Sequence, residues 1–275
     1  MLSLINIEMK KLDYRNKIAI VTGASSGIGK EISSCLVLDY GCTVYGIARS
    51  GEALEGLKAE LGENFVPYPM DVGESENWQG LRELMEKTDT HPHILINCAG
   101  FLPTFAKFEE AEASLYERAI KINFMSCVYS CYEIMDIMGK GGIIANISSA
   151  SALCPFGGVG AYSSSKSALL SFSQSIGCEK RDISVLCVLP GFVKTDIMKN
   201  QDVDLREKGI IDFFSQDVKK ASRKILKKVA KRKKRIVIGI DGHFMSLMYR
   251  LFPNLTPKLI TFVVKKSGLN LFKKI

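Results

Sequence analysis

The run Ile18-Ala19-Ile20-Val21-Thr22-Gly23-Ala24-Ser25-Ser26-Gly27-Ile28-Gly29 decides how this chain folds. Residues 17–22 are an apolar segment of strand length, and a helical pattern runs from about residue 27 to about residue 39. Between them lies a glycine-rich turn. Glycines at such a junction let backbone approach a pyrophosphate closely, and the helix N-terminus offers free N–H groups and the positive end of a dipole. A glycine-rich turn alone is weak evidence; the strand before it and the helix after it give it weight.

The alternation continues outward. Strand patterns cover residues 43–47, 65–70, 93–97, 142–148, 184–189 and 235–240. Helical patterns cover about 109–138, 160–179 and 217–230. Strands this apolar, separated by helices, predict an α/β fold: a doubly wound parallel sheet of about seven strands with helices on both faces. The expected organisation is an N-terminal extension over 1–16, a single domain over 17–242, and a C-terminal helical extension over 243–275 that Pro253 and Pro257 divide into two helices. Residues 196–215 turn from polar to apolar and read as a lid.

Composition narrows the class. The chain has 275 residues, 47% of them hydrophobic and 24% charged, as in ordinary globular proteins. Its eight cysteines form no CxxC pair and sit mostly in apolar runs, which argues for reduced core residues, a cytoplasmic protein and no metal site. No segment has the length of a membrane span, and the N-terminus lacks the basic lead of a signal peptide. The net charge is +8, with eleven Lys or Arg between residues 219 and 235. No aromatic residue interleaves with them, so a solvated helix face is the reading and nucleic acid is not expected as a partner.

Tyr162 and Lys166 are four residues apart in a helical segment and therefore share a face. An ammonium beside a phenol favours the phenolate, which lets a tyrosine exchange a proton near neutrality. Ser149 lies thirteen residues upstream of Tyr162, and Ser148 is its neighbour and rival.

Together these motifs resemble the short-chain dehydrogenase/reductase family, over roughly residues 17–242. The turn Gly23, Ser25, Ser26, Gly27, Ile28 and Gly29 is similar to its TGxxxGxG cofactor loop. Asp71-Val72 resembles its adenine-contacting pair. Asn97-Cys98-Ala99-Gly100 resembles its NNAG element, with Cys98 in place of the second asparagine. Asn123, Ser149, Tyr162 and Lys166 match its catalytic four, and Pro190, Gly191, Val193 and Thr195 match its nicotinamide-side segment. The resemblance implies a Rossmann-type fold and a nicotinamide cofactor. It implies Tyr162 as proton donor and acceptor, and Lys166 as a ligand of the nicotinamide ribose. Ser149 would hold the substrate oxygen, and Asn123 a water behind Lys166.

The second strand pattern ends without an acid, at Gly46-Ile47-Ala48-Arg49-Ser50. An acid there would bind a ribose hydroxyl and repel a 2′-phosphate, whereas Arg49 suits the phosphate, so the expected cofactor is NADP(H). Segments 101–103, 153–156 and 192–198 should line the substrate side, and they are mostly apolar. The expected substrate is a bulky hydrophobic ketone or secondary alcohol, with hydroxysteroids and bile acids first; a 3-oxoacyl or other lipid ketone is the alternative. A nucleotide-sensing protein without turnover is the reading from another class, and the intact four argue against it. A homodimer or homotetramer is expected. For the tail, packing on the protein or on a partner subunit is favoured over peripheral membrane contact.

Overall fold

The structure, a computed structural model, describes residues 11–179, 182–195, 197, 215–267, 269 and 275. All but two residues, 197 and 215, of the stretch read as a lid lie outside the described residues.

Seven parallel strands form one sheet: β1 (Ile18–Thr22), β2 (Thr43–Ala48), β3 (Phe65–Pro69), β4 (Ile94–Asn97), β5 (Ile143–Ile147), β6 (Ser184–Pro190) and β7 (Arg235–Ile238). Their order is β3-β2-β1-β4-β5-β6-β7. β1 pairs with β2 on one side (Ile20 opposite Tyr45) and with β4 on the other (Ile20 opposite Leu95). The chain thus leaves β1 and β4 in opposite directions, and a crevice opens between their carboxyl ends.

Alternate strand residues feed two cores. Ala19, Val21, Ile94, Ile96, Ile143 and Ala145 pack under the helices α1 (Gly27–Tyr40), α2 (Gly51–Leu61) and α7 (Val218–Ala230). Ile20, Leu95 and Ile144 pack the opposite way, against α3 (Ser75–Lys87), α5 (Ser126–Ile134) and α6 (Gly160–Ile176). Burial on both faces is the reason the strands read as unbroken apolar runs rather than alternating ones. Segments α2 and α3 carry no named helix in the sequence reading, yet each fills a crossover between parallel strands.

The stretch expected as one helix over about 109–138 is broken. It comprises α4 (Ala113–Ile120), a π-helical segment at Lys121–Met125 and α5, with 3-10 turns at Phe108–Glu110 and Met135–Ile137. Asn123 occupies the π segment and is fully buried. The last strand is also shorter than expected. Gly239 adopts a φ of 99° and ends it, and α8 (Ile240–Leu251) begins immediately, so Asp241 and Gly242 lie in a helix. After it comes α9 (Thr256–Lys266). Among the described residues no helix is long and apolar enough to cross a membrane.

Within the stretch read as an extension, residues 11–16 pack on the body of the fold. Leu12 donates its N–H to the Ala230 carbonyl at 2.9 Å, and the Tyr14 hydroxyl donates to the Leu226 carbonyl at 2.8 Å. The Tyr14 ring is buried against Tyr40, with centroids 5.1 Å apart and edge to face. All eight cysteines are free, and Cys178 is exposed rather than in the core. No metal-holding cluster occurs among the described residues. Replacing a buried aromatic ring by a methyl costs about 3–5 kcal/mol. Tyr14→Ala should therefore lower the urea midpoint of unfolding with an unchanged slope; an unchanged midpoint would mean that residues 11–16 contribute nothing to the fold.

Candidate active site

A cleft of about 430 Å³ opens at the carboxyl ends of β1, β4, β5 and β6. Of the residues matched to catalytic and cofactor motifs, all line it except Asn97 and Asn123; of the segments expected on the substrate side, Pro103, Leu153, Cys154, Pro155 and Lys194 do not, and Leu153 packs instead in the core with Leu170, Cys187 and Leu189. Its floor is the turn between β1 and α1. Gly23 has φ 68°, and a Cβ there would come within 3.0 Å of the Ala99 backbone. Gly29 is tighter still: a Cβ would meet the Gly23 carbonyl oxygen at 2.2 Å. Only glycine allows this turn to close so tightly on the helix.

Ser26 stands at the N-cap of α1 but makes no side-chain capping bond, and the first turn holds no acidic residue. The first-turn amides and the positive dipole end therefore face the cleft uncapped, as a pyrophosphate requires. Thr22 braces the turn from below, its Oγ1 accepting from the Cys98 and Ala99 amides, each at 2.9 Å. Thr195 closes over Gly27, where a Cβ would come within 3.2 Å of its side chain. Arg49, at the end of β2, is exposed at the cleft edge with no ion-pair partner among the described residues. Asp71 turns its carboxylate back to accept from the Gly73 amide at 2.8 Å. The cradle thus fits a dinucleotide.

The opposite wall carries Tyr162, Lys166 and Ser149. α6 holds Tyr162 at the cleft and Lys166 one turn beneath it. The Lys166 side chain is only 3% exposed. Its Nζ donates to the Ile147 carbonyl at 2.9 Å and lies 5.9 Å from the Tyr162 ring centroid. No carboxylate pairs with it among the described residues. Its charge reaches two buried thiols: burial pushes Cys98 up to about 12 and Cys127 up to about 11, so both stay neutral.

The two neighbouring serines separate cleanly. The Ser148 hydroxyl donates to the Lys166 carbonyl at 2.7 Å and so ties β5 to α6. Ser149 Oγ instead accepts, from the Ser151 amide at 3.2 Å and the Ser151 hydroxyl at 3.0 Å. Its own proton is left to donate into the cleft.

Asn123 sits behind the wall rather than in it. Its Oδ1 accepts from the Phe101 amide at 2.7 Å, while Nδ2 donates to the Phe101 carbonyl at 2.8 Å and to Ser165 Oγ at 3.0 Å. Ser165 in turn donates to the Tyr162 carbonyl at 2.8 Å. Both N–H groups of the amide are engaged, so the residue braces the loop after β4 against α6. The π-helical segment is a local insertion of the kind found at functional sites.

Asn97 stands behind the cleft. Its side chain faces the interior: Oδ1 accepts from Ser130 at 2.9 Å and Nδ2 donates to Asn146 Oδ1 at 2.8 Å. Asn146 continues the chain to Ser173 at 2.9 Å. This buried relay joins α5, β4, β5 and α6, and the sequence reading missed Asn146, Ser130 and Ser173. Asp241 was missed as well: its carboxylate accepts from the Phe192 amide at 2.6 Å, and it lines the cleft beside Gly191. Asn146 lies in a strand pattern and Ser130 and Ser173 in helix patterns, with no motif to mark them, and Asp241 follows the last strand pattern.

A family model described as "short chain dehydrogenase" matches residues 17–206. An uncharacterized oxidoreductase of Saccharomyces cerevisiae is 32% identical over 186 residues, 67% of this chain and 73% of that protein. A 3beta-hydroxysteroid dehydrogenase 2 of Eggerthella lenta is 29% identical over 187 residues, 65% of this chain and 72% of its own length. Among solved structures, a short chain dehydrogenase/reductase from Burkholderia phymatum in complex with NAD superposes with a TM-score of 0.78 at 18% identity, covering 89% of this chain and 96% of that one. A short chain dehydrogenase from Burkholderia cenocepacia in complex with NADP gives 0.75 at 20% identity, covering 89% and 97%. At these identities the structural likeness is one of fold.

Removing the Asn123 amide strands a part-buried amide and carbonyl of Phe101. A group left so costs about 1–3 kcal/mol. Asn123→Ala should therefore lower the thermal midpoint as well as any activity, and an unchanged midpoint would contradict the bracing role.

Proposed function

This chain belongs to the short-chain dehydrogenase family, NAD(P)-binding oxidoreductases that act on CH–OH groups, and from that premise we propose that it interconverts a bulky apolar ketone and its secondary alcohol using NADP(H). A hydroxysteroid or bile acid is the leading substrate class. The observation that carries the reading is the meeting of Tyr162, Lys166 and Ser149 on one wall of a cleft whose floor is an uncapped helix N-terminus.

Bound nicotinamide supplies or accepts the hydride; binding, orientation and proton handling fall to the chain. The amides of Ile28 and Gly29 with Ser25 and Ser26 would hold the pyrophosphate. Asp71 and Val72 would flank the adenine, and Arg49 would meet the 2′-phosphate. Pro190, Gly191, Val193 and Thr195 would wall the nicotinamide. In reduction the Tyr162 hydroxyl gives its proton to the carbonyl oxygen, and in oxidation it takes the proton back. Lys166 sets a positive charge beside the phenolate as it forms and would bind the ribose hydroxyls. Ser149 donates to the same carbonyl oxygen, steadying charge as it develops.

An apolar substrate is supported by the lining of the cleft, which includes Leu102, Phe105, Phe156, Val159, Ile197 and Met245. The steroid-named relative points the same way. A homodimer or homotetramer is proposed as the assembly, since members of this family are typically oligomeric.

Two measurements test the proposal. In a screen of steroid, bile-acid and acyl ketones followed by loss of NADPH absorbance, Tyr162→Phe should reduce turnover by ~hundredfold or more while binding of NADPH persists. Turnover within a few-fold of the parent would remove Tyr162 from the proton transfer. Separately, kcat/KM should favour NADP(H) over NAD(H), and Arg49→Ala should weaken NADP(H) alone; a parent enzyme that prefers NAD(H) would overturn the cofactor assignment.

A further inference from the structure

The two terminal helices carry their apolar stripes on the outside. On α8, Ile240, Phe244, Leu247 and Leu251 recur at i, i+4, i+7 and i+11, which places them on one face. Leu255, just before α9, aligns with Leu259, Phe262 and Val263 in the same way. All eight are between 47% and 90% exposed. A surface helix ordinarily turns such a stripe toward the core. Here the other side of each helix is the one attached. Met245 lines the cleft, Thr256 is buried, and Thr261 Oγ1 accepts from the Gly157 amide at 2.8 Å. The expectation that the tail packs on the protein holds for these inner sides only.

Exposed apolar stripes of this kind mark a docking site for a protein or a membrane. Charge decides between them. From Gly242 to Ile275 the sequence contains six Lys or Arg and no Asp or Glu. Arg250, Lys258, Lys265 and Lys266 are exposed, and among the described residues none of them is in an ion pair. The Lys266 ammonium lies 6.0 Å from the Phe262 ring centroid, so a cation stands beside the apolar stripe. A two-fold contact with a second copy would set this cationic face against itself. Anionic headgroups would neutralise it, and the apolar stripe would enter the boundary between headgroups and acyl chains.

We propose that the face formed by α8 and α9 docks the protein on an anionic lipid surface. The docking is peripheral, since neither helix can cross a bilayer. It also has a consequence for access. Phe156 lines both the cleft and a shallow groove bounded by Pro257, Phe262 and Lys265, so apolar surface runs from the docked face to the cleft mouth. A lipid-dissolved ligand could follow that surface without entering water.

The test is flotation of the full chain with vesicles of phosphatidylcholine alone and of phosphatidylcholine with phosphatidylserine. It needs no substrate, so its outcome is independent of the turnover reading. The parent should float with the phosphatidylserine vesicles and release at high salt. The double variant Leu251→Glu with Phe262→Glu should stay at the bottom. Each cation near such a surface contributes roughly fivefold in binding, so K258A/K265A/K266A should lose about a hundredfold. These positions are exposed, and the lysine variant leaves the apolar stripe intact should the glutamate pair perturb folding. A parent that fails to float with either vesicle would overturn the proposal, as would glutamate variants that float unchanged. If light scattering instead shows Phe262→Glu splitting a larger species that binds no lipid, the occupant is a second copy and the membrane assignment fails.

Discussion

The site depends on a buried cation with no carboxylate partner among the described residues. Lys166 is almost fully enclosed, and its ammonium is held by one backbone carbonyl, that of Ile147 at the end of β5. Burying a charge without a carboxylate partner is unfavourable, and a fold tolerates it where the charge has work to do. In this cleft the remaining electrostatic partner is whatever negative charge forms above it, on the Tyr162 oxygen or on a ligand. The neutral thiols of Cys98 and Cys127 keep the surroundings free of competition.

The rest of the architecture holds that cation in register. Ser148 ties the backbone of α6 to β5. The relay Ser130, Asn97, Asn146 and Ser173 locks the two central strands to the helices on one face. Asn123 fixes the loop after β4 to α6 through Phe101 and Ser165. These are fully partnered buried polar groups, which rigidify a site where loose ones would weaken it. Across the cleft, the glycine turn sets the distance between floor and wall, because any side chain at Gly29 would push α1 away from β1.

Much of this was legible in the sequence, and the reasons differ by element. The strands were readable because both faces are buried, which makes their apolar runs continuous. The cleft floor was readable because the glycines at 23, 27 and 29 follow a strand and open a helix. The choice of Ser149 over Ser148 rested on spacing; in the structure the Ser148 hydroxyl is taken up by the Lys166 carbonyl. The break around Asn123 was not readable: a π-helical turn answers the unpaired backbone of Phe101, twenty-two residues away in sequence. The inward orientation of Asn97 was not readable, because its partner, Asn146, looks like any polar residue in a strand. The tail showed that its helices are amphipathic. Periodicity gives a stripe but not its direction, and only the contacts of Thr256 and Thr261 fix which side is inward.

The most direct measurement is the rate of carbonyl reduction by Lys166→Met, saturated with NADPH, with circular dichroism showing the fold retained. The methionine keeps the bulk of the side chain and removes the charge. The account predicts a loss of ~hundredfold or more, since the proton transfer would lack its electrostatic support. A rate within a few-fold of the parent, with the fold intact, would contradict it.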